Sequence, residues 1–144
     1  MGYVIFQKRV DFLSMPSYRG LKAWANARRL AVECSKAARA LPRQEQSALA
    51  AQLREAGYAV VLRIAAGGCV APGAERRCSL QEAQRSLAAI DTIVCIAHDL
   101  EYLSSRDYAR LEAWLEETRK TLYGLLRKTD AERSTNVSGG AHPS

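Results

Sequence analysis

Residues 41–67, LPRQEQSALAAQLREAGYAVVLRIAAG, carry the pattern that decides the fold. Pro42 suits the first turn of a helix and Glu45 suits its positive end, which predicts a helix that begins near Pro42 or Arg43. Gly67 is expected to end it. Apolar side chains recur every three or four residues and so form one stripe along this helix. The stripe consists of Leu49, Leu53, Ala56, Val60 and Ile64.

The last turns of this helix are apolar on the opposite side as well. A helix that is apolar all round cannot face water and needs cover from two sides. We therefore expect the segment to pack inside its own bundle and also against a second copy or a partner. The expected oligomer-interface residues are Tyr58, Val61, Leu62 and Ala65.

Length and composition fit one domain. The chain has 144 residues, of which 48% are hydrophobic and 25% charged, enough to bury one core. No apolar run reaches the about 18 residues that a membrane-spanning helix needs. Charged residues also interrupt the apolar N-terminus too early for a signal peptide. We therefore expect a cytoplasmic protein with no membrane partner.

Three further segments show the helical period. Ser17 suits the N-cap of the first, and Ser79 with Glu82 forms a capping box, S-x-x-E, at the start of the third helix of the chain. Four helices of similar length with short connections are typical of an all-α, antiparallel up-down-up-down four-helix bundle. The three additional segments are residues 18–40, 79–103 and 106–128.

The ends of the chain differ from its middle. We expect the bundle to occupy residues 17–128. Residues 129–144, TDAERSTNVSGGAHPS, offer few groups to bury, which predicts a disordered tail. The leader, residues 1–16, has both apolar and basic side chains, and either packs on the bundle or forms a basic arm.

The net charge of +6 lies in the first helix and its leader, because the rest of the chain is balanced. At about 100° per residue, Lys22, Arg29 and Lys36 share the face opposite the apolar stripe. Such a face is often only solvated, but a ring-shaped oligomer would repeat it and turn weak phosphate contacts into avidity. That hypothesis assigns nonspecific RNA or DNA binding to Arg19, Lys22, Arg28, Arg29, Lys36 and Arg39.

No group of residues predicts catalysis. A nucleophile needs a positioned base, and the two histidines are His98 and His142, the second of which lies in the predicted tail. Cys34 and Cys95 fall inside helical patterns and are expected in the core. Cys69 and Cys78, which are expected to share a loop, have no histidine near them in sequence, so they do not indicate a metal site. We expect no enzyme, no metal site and no cofactor.

The helical segments resemble a known family. SYRGLKAWANARRLAVECSKAARALP, QLREA, RIAAG and LEYLSSRDYARLEAWLEETRKTLYGLLRK are similar to the bacterial four-helix-bundle proteins linked to intervening sequences of 23S ribosomal RNA. The family's L-x-x-W motif matches at Leu21 and Trp24, and its Q-L-R-x-A motif begins at Gln52. The last helix also resembles the accessory protein of diversity-generating retroelements, which has a related fold.

The resemblance implies a homopentameric ring of four-helix bundles. For the retroelement relatives it also implies a basic surface that binds nucleic acid and a reverse transcriptase, whereas for most other members it implies no established activity. This chain departs from the family pattern at three polar positions. Arg63, Ala66 and Ala89 stand where an asparagine and two glutamates are expected.

Arg63 lies at the edge of the apolar stripe of the second helix. Because an unpaired arginine is costly to bury, its head must reach solvent, an acid or a ligand. One interpretation pairs it with an acidic residue of the third helix. The other places it at a subunit seam in contact with phosphate, which adds Arg63 to the nucleic-acid-binding residues. The candidate acidic partners are Asp91, Asp99 and Glu101.

The sequence is compatible with two functions. The first is a non-enzymatic, oligomeric accessory protein that binds the backbone of RNA or DNA through the first helix. The second is a protein-interaction scaffold with no nucleic-acid role. Binding that falls steeply with salt favours the first, and an oligomer that ignores nucleic acid favours the second.

Overall fold

The computed structural model describes the backbone of residues 18–140 and the side chains through Ser134, apart from Arg133. The predicted leader, residues 1–16, lies outside this part of the chain. Throughout the described range the regular structure is helical, which confirms the predicted all-α fold. The helices are α1 (Lys22–Ala40), α2 (Leu49–Gly68), α3 (Ala74–Asp99) and α4 (Ser105–Gly140), with short 3-10 helices at Tyr18–Gly20 and Arg43–Glu45.

The four helices pack in chain order around one core. α1 contacts α2 and α4, and α3 also contacts α2 and α4, whereas the diagonal pairs lie apart over the described residues. Asn26 near the start of α1 donates to Thr121 in the middle of α4, and Glu33 farther along α1 pairs with Arg110 near the start of α4. This packing is compatible with a four-helix bundle. None of the described helices combines the length and apolarity needed to cross a membrane.

The predicted apolar stripes form the core. Burying a leucine or isoleucine side chain contributes about 1.5–3 kcal/mol, so a few from each helix hold the bundle together. Cys34 is buried as predicted, whereas Cys95 is only half-buried. The largest fully buried aliphatic side chains are Leu30, Leu53, Ile64, Leu80, Ile90, Leu115 and Leu122.

The first two helices begin later than predicted. Tyr18 forms a 3-10 turn, and its carbonyl oxygen accepts the Leu21 N–H at 3.0 Å, so α1 starts only at Lys22. The predicted start of the second helix near Pro42 or Arg43 is also wrong, because a 3-10 turn occupies Arg43–Glu45 and α2 starts at Leu49. The Gln46 amide there donates to the Leu41 carbonyl oxygen at 2.9 Å, which ties the connection to the end of α1.

The third helix begins earlier than predicted. α3 starts at Ala74, which puts Ser79 inside the helix, so the proposed capping box is wrong. Arg76 in the first turn donates its Nε–H to the carbonyl oxygens of Gly67 and Val70, at 2.9 and 3.0 Å. These bonds anchor the start of α3 to the end of α2, and the local sequence pattern does not contain that information.

α3 also ends before the predicted Leu103. The helix stops at Asp99, and Glu101 adopts a left-handed conformation with φ of 63°. The Tyr102 N–H then donates to the Ala97 carbonyl oxygen at 2.8 Å, which closes the helix end as a left-handed C-terminal residue usually does. The chain turns at once into α4.

α4 continues through the start of the predicted disordered tail. Thr129 is buried, and its hydroxyl donates to the Leu125 carbonyl oxygen at 2.8 Å. Asp130 accepts from Arg77 of α3 at 3.0 Å. The prediction of disorder from Thr129 is therefore wrong for Thr129 and Asp130. This turn of α4 has few apolar side chains, and the ion pair of Asp130 with Arg77 stabilises it against α3.

Candidate nucleic-acid interface

Basic side chains follow the outward face of α1. Lys22, Arg29 and Lys36 recur every seven residues and are all exposed. The helical period thus brings them together on the face opposite the core, as the sequence predicts. Arg19, in the 3-10 turn before α1, is exposed as well.

Arg29 is already engaged by other side chains. Its Nε lies 3.3 Å from Glu33 Oε1, and its guanidinium lies over the Trp114 ring at 5.4 Å from the ring centre. Glu33 is only 6% exposed and also accepts from Arg110 of α4 at 3.2 Å. Part of the predicted basic face is therefore neutralised in the joint between α1 and α4, by an acid whose burial the α1 pattern alone does not reveal.

A groove between α1 and α2 brings Lys36 of this face together with Arg28 and Arg39. Its volume is about 440 Å³. All charged side chains that line it, among the described residues, are basic. The lining residues are Arg28, Ala31, Val32, Ser35, Lys36 and Arg39 of α1 with Tyr58 and Val61 of α2.

Gly57 lets α1 and α2 approach closely beneath this groove. A Cβ atom on Gly57 would lie 3.1 Å from the Cβ atom of Cys34 and 3.5 Å from the Cα atom of Ala31. The next residue, Tyr58, stands on the groove wall. The sequence pattern predicts no role for Gly57, since a glycine inside a helix does not reveal which helix lies opposite.

The predicted oligomer-interface residues lie on α2, partly in the groove and partly beyond it. Tyr58 is 46% exposed and Leu62 is 65% exposed, while Val61 and Ala65 are half-buried. On α1, Val32 is 44% exposed beside them in the groove. Large apolar side chains on a surface often mark a contact face.

Of the two remaining predicted cations, Arg28 lies with Lys36 and Arg39, and Arg63 lies apart from them. Arg28 lines the groove, and its guanidinium lies 5.5 Å from the centre of the Trp24 ring. Arg63 is exposed, lies outside the groove lining, and forms no ion pair with the described side chains. The predicted pairing of Arg63 with an acid of the third helix is therefore wrong. The acids considered for it were Asp91, Asp99 and Glu101.

A second polar cluster lies between α3 and α4. One ligand atom each from Asp91, Cys95 and Glu112 lies within 4.8 Å of the others, and all three residues are half-buried. The Tyr108 hydroxyl is 3.8 Å from the Cys95 sulfur, and its ring stacks on His98 with the ring centres 4.1 Å apart. Asp91 and Cys95 share one helix face by their spacing of four. The partner from α4 could not be identified without the tertiary structure.

The electrostatics of this cluster centre on Glu112. Burial, together with the hydrogen bond and charge of Asp91, raises the pKa of Glu112 above its ordinary value, and Arg119 partly opposes this shift. Its Oε1 atom is shielded from solvent and has no hydrogen-bond partner in the described structure. The carboxyl groups of Asp91 and Glu112 can share a proton. Together with the Cys95 thiol, they offer the types of donor atom that bind divalent cations.

Comparison with known proteins identifies a family relation. The sequence profile of the family described as 23S rRNA-intervening sequence protein matches residues 19–124. The match spans α1 to α3 and more than half of α4, and it confirms the resemblance that the motifs indicate. A search of curated proteins gives no match.

Proposed function

Because the chain belongs to the 23S rRNA-intervening sequence protein family, we propose that it is a non-enzymatic accessory protein that binds the backbone of RNA or DNA. The observation that carries this proposal is the groove between α1 and α2, in which every charged lining residue that the structure describes is basic. Cations that neutralise phosphates supply affinity without reading the base sequence. The family description itself refers to an RNA.

The cations of the proposed interface are unequal. Lys36 and Arg39 line the groove and form no ion pair within the described structure, so they are expected to contribute most. Arg29 already pairs with Glu33, so it is expected to contribute less. The full proposed set is Arg19, Lys22, Arg28, Arg29, Lys36, Arg39 and Arg63.

Assembly is part of the proposal. We propose an antiparallel up-down-up-down bundle, which the opposite order of the Asn26–Thr121 and Glu33–Arg110 contacts along α1 and α4 supports. We further propose that bundles join into a ring, with five copies as the expected number. A ring would repeat the groove and multiply weak phosphate contacts. The proposed contact face is Tyr58, Val61, Leu62 and Ala65, supported by the exposure of its large members.

Charge reversal tests the proposal. The double variant K36E/R39E is compared with the wild type for binding of a labelled RNA hairpin at low salt, and is expected to lose about tenfold or more in affinity. The matched control is R106E/K120E, which makes the same charge change at exposed positions of α4. No binding by the wild type, or an equal loss in both variants, would contradict the proposal.

The second candidate function is a protein-interaction scaffold, with a reverse transcriptase as one kind of partner. The exposure of Tyr58 and Leu62 favours this candidate, because apolar side chains on a surface serve protein contacts as well. Its signature is an oligomer, seen by light scattering, that has no measurable affinity for RNA or DNA. That result would replace the first function with the second.

A further inference from the structure

We propose that the groove between α1 and α2 takes unpaired nucleic acid, with a base stacked on Tyr58 and phosphates held by Arg28, Lys36 and Arg39. This inference rests on the proposed function and names the substrate class for it. Proteins that bind single strands without sequence preference combine a basic groove with an aromatic platform. The groove contains both features.

Tyr58 differs from the other described tyrosines compared below in having no hydrogen-bond partner and no ring or cation contact among the described residues. Its hydroxyl forms no hydrogen bond with the described residues, and its ring pairs with no other described ring. In contrast, Tyr102 donates to Glu45 at 3.1 Å, and Tyr108 stacks on His98. Tyr123 is exposed like Tyr58, but the Arg127 guanidinium lies over its ring at 5.8 Å. In the single bundle the ring of Tyr58 is open beside three cations, and the inference requires that the contact between bundles leave this ring open.

The surroundings of Tyr58 suit a base rather than a phosphate alone. Val61 of α2 and Val32 of α1 line the groove with it, so Tyr58 has apolar neighbours in the lining. The volume of about 440 Å³ lies within the range of about 300–1,000 Å³ that is usual for ligand sites. The basic side chains enter the groove from α1, opposite Tyr58 of α2. The groove therefore offers cations for phosphates and an aromatic ring among apolar side chains for a base.

A double helix cannot use this arrangement. Its bases stack on one another and show only their edges, so an aromatic side chain reaches a base face only in a single strand, a loop or a bulge. Duplex binding would depend on the cations and would leave Tyr58 without effect. The inference therefore predicts a preference for single strands that depends on the aromatic ring of Tyr58.

The test must separate stacking from assembly, because Tyr58 and Val61 also belong to the proposed contact face. Leu62 and Ala65 lie on that face without lining the groove, so the two surfaces overlap only in part. Tyr58→Leu keeps an apolar side chain for a protein contact but removes the aromatic ring. Tyr58→Phe keeps the ring. Tyr123→Leu removes an exposed tyrosine elsewhere.

The experiment uses the full chain with a labelled oligothymidylate of about 12 nucleotides and a duplex of the same length, read by fluorescence anisotropy. Light scattering gives the mass of each variant. The wild type is expected to bind the single strand about fivefold or more tightly than the duplex. Y58L is expected to lose about tenfold for the single strand and little for the duplex, since base stacking is the term removed. Y58F and Y123L are expected to behave like the wild type.

Other outcomes would contradict either the inference or the proposed function. Equal or tighter binding of the duplex by the wild type, or an unchanged single-strand affinity in Y58L, would overturn the inference and leave the proposed function intact. A Y58L variant that loses mass and weakens on both ligands alike would also overturn it, because Tyr58 would then act through assembly. Failure of the wild type to bind either ligand would remove the proposed function itself.

Discussion

Gly57 of α2 faces Cys34 of α1 so closely that a Cβ atom on Gly57 would lie 3.1 Å from the Cβ atom of Cys34. Both positions are fixed by helical backbones, so a methyl group there requires the two helices to separate. The same approach places Tyr58 on the wall of the basic groove. The close approach of α1 and α2 beneath the proposed interface therefore depends on the missing side chain of Gly57.

Gly57→Ala is expected to lower the free energy of unfolding by about 1–2 kcal/mol, because overpacking between rigid helices outweighs the gain in helix propensity. Gly124→Ala is the matched control. A Cβ at that helical position would meet no atom of the described residues within 4 Å, so the variant is expected to gain up to about 1 kcal/mol. Urea denaturation measures both. A Gly57→Ala variant as stable as the wild type would show that α1 and α2 are not held at this distance.

Thr129→Asp is expected to lower the free energy of unfolding by about 2 kcal/mol or more, because it places a carboxylate at a buried position. Ser134→Asp introduces the same group at an exposed position of α4 and is expected to change little. Thermal denaturation by circular dichroism compares the two. If the variants were equally stable, residue 129 would lie in a solvated tail after all.

Glu112→Gln is expected to raise the melting temperature near neutral pH. Burial and Asp91 raise the pKa of Glu112, so the folded protein binds this proton more tightly than the unfolded chain. As the pH rises from the ordinary glutamate pKa through the raised value, the wild type loses stability that the glutamine variant keeps. Below that window the carboxyl group is protonated in both states, and the advantage of the variant disappears.

The control for this prediction is Glu117→Gln, which changes an exposed side chain on the same helix. It removes one negative charge, as Glu112→Gln does, so it separates the effect of burial from the change in net charge. Melting temperatures from acid to neutral pH, measured for all three proteins, decide the matter. A difference in melting temperature between Glu112→Gln and the wild type that stayed constant across the pH range would contradict a raised pKa of Glu112 in the folded protein.

The helices and their buried sides could be predicted from the sequence, because a period of 3.6 residues is a local property. Leu53 and Ile64 of α2 are buried as their spacing indicates. Helix ends were harder to predict wherever a distant group supplied the partner. The bonds from Arg76 to the end of α2, and the pairing of Asp130 with Arg77, are tertiary contacts that no local motif contains.

The candidate site was predicted in part for the same reason. The helical period places Lys22 and Lys36 on one outward face of α1, and both are exposed there. It does not show that Glu33 neutralises Arg29, or that Tyr58 lies across a groove from Arg39. Those relations depend on how α1 packs against its two neighbours. The sequence therefore indicates a basic surface, and the fold indicates which part of it is open to a ligand.

The salt dependence of RNA binding tests the central claim most directly, since it counts phosphate contacts. The affinity of the wild type for a labelled hairpin is measured over a range of salt concentrations, together with Arg39→Ala and the control Arg106→Ala. The account predicts a steep fall for the wild type, a slope of log affinity against log salt that is shallower by about one for Arg39→Ala, and no change for the control. Binding that is independent of salt, or equal slopes for Arg39→Ala and the wild type, would contradict it.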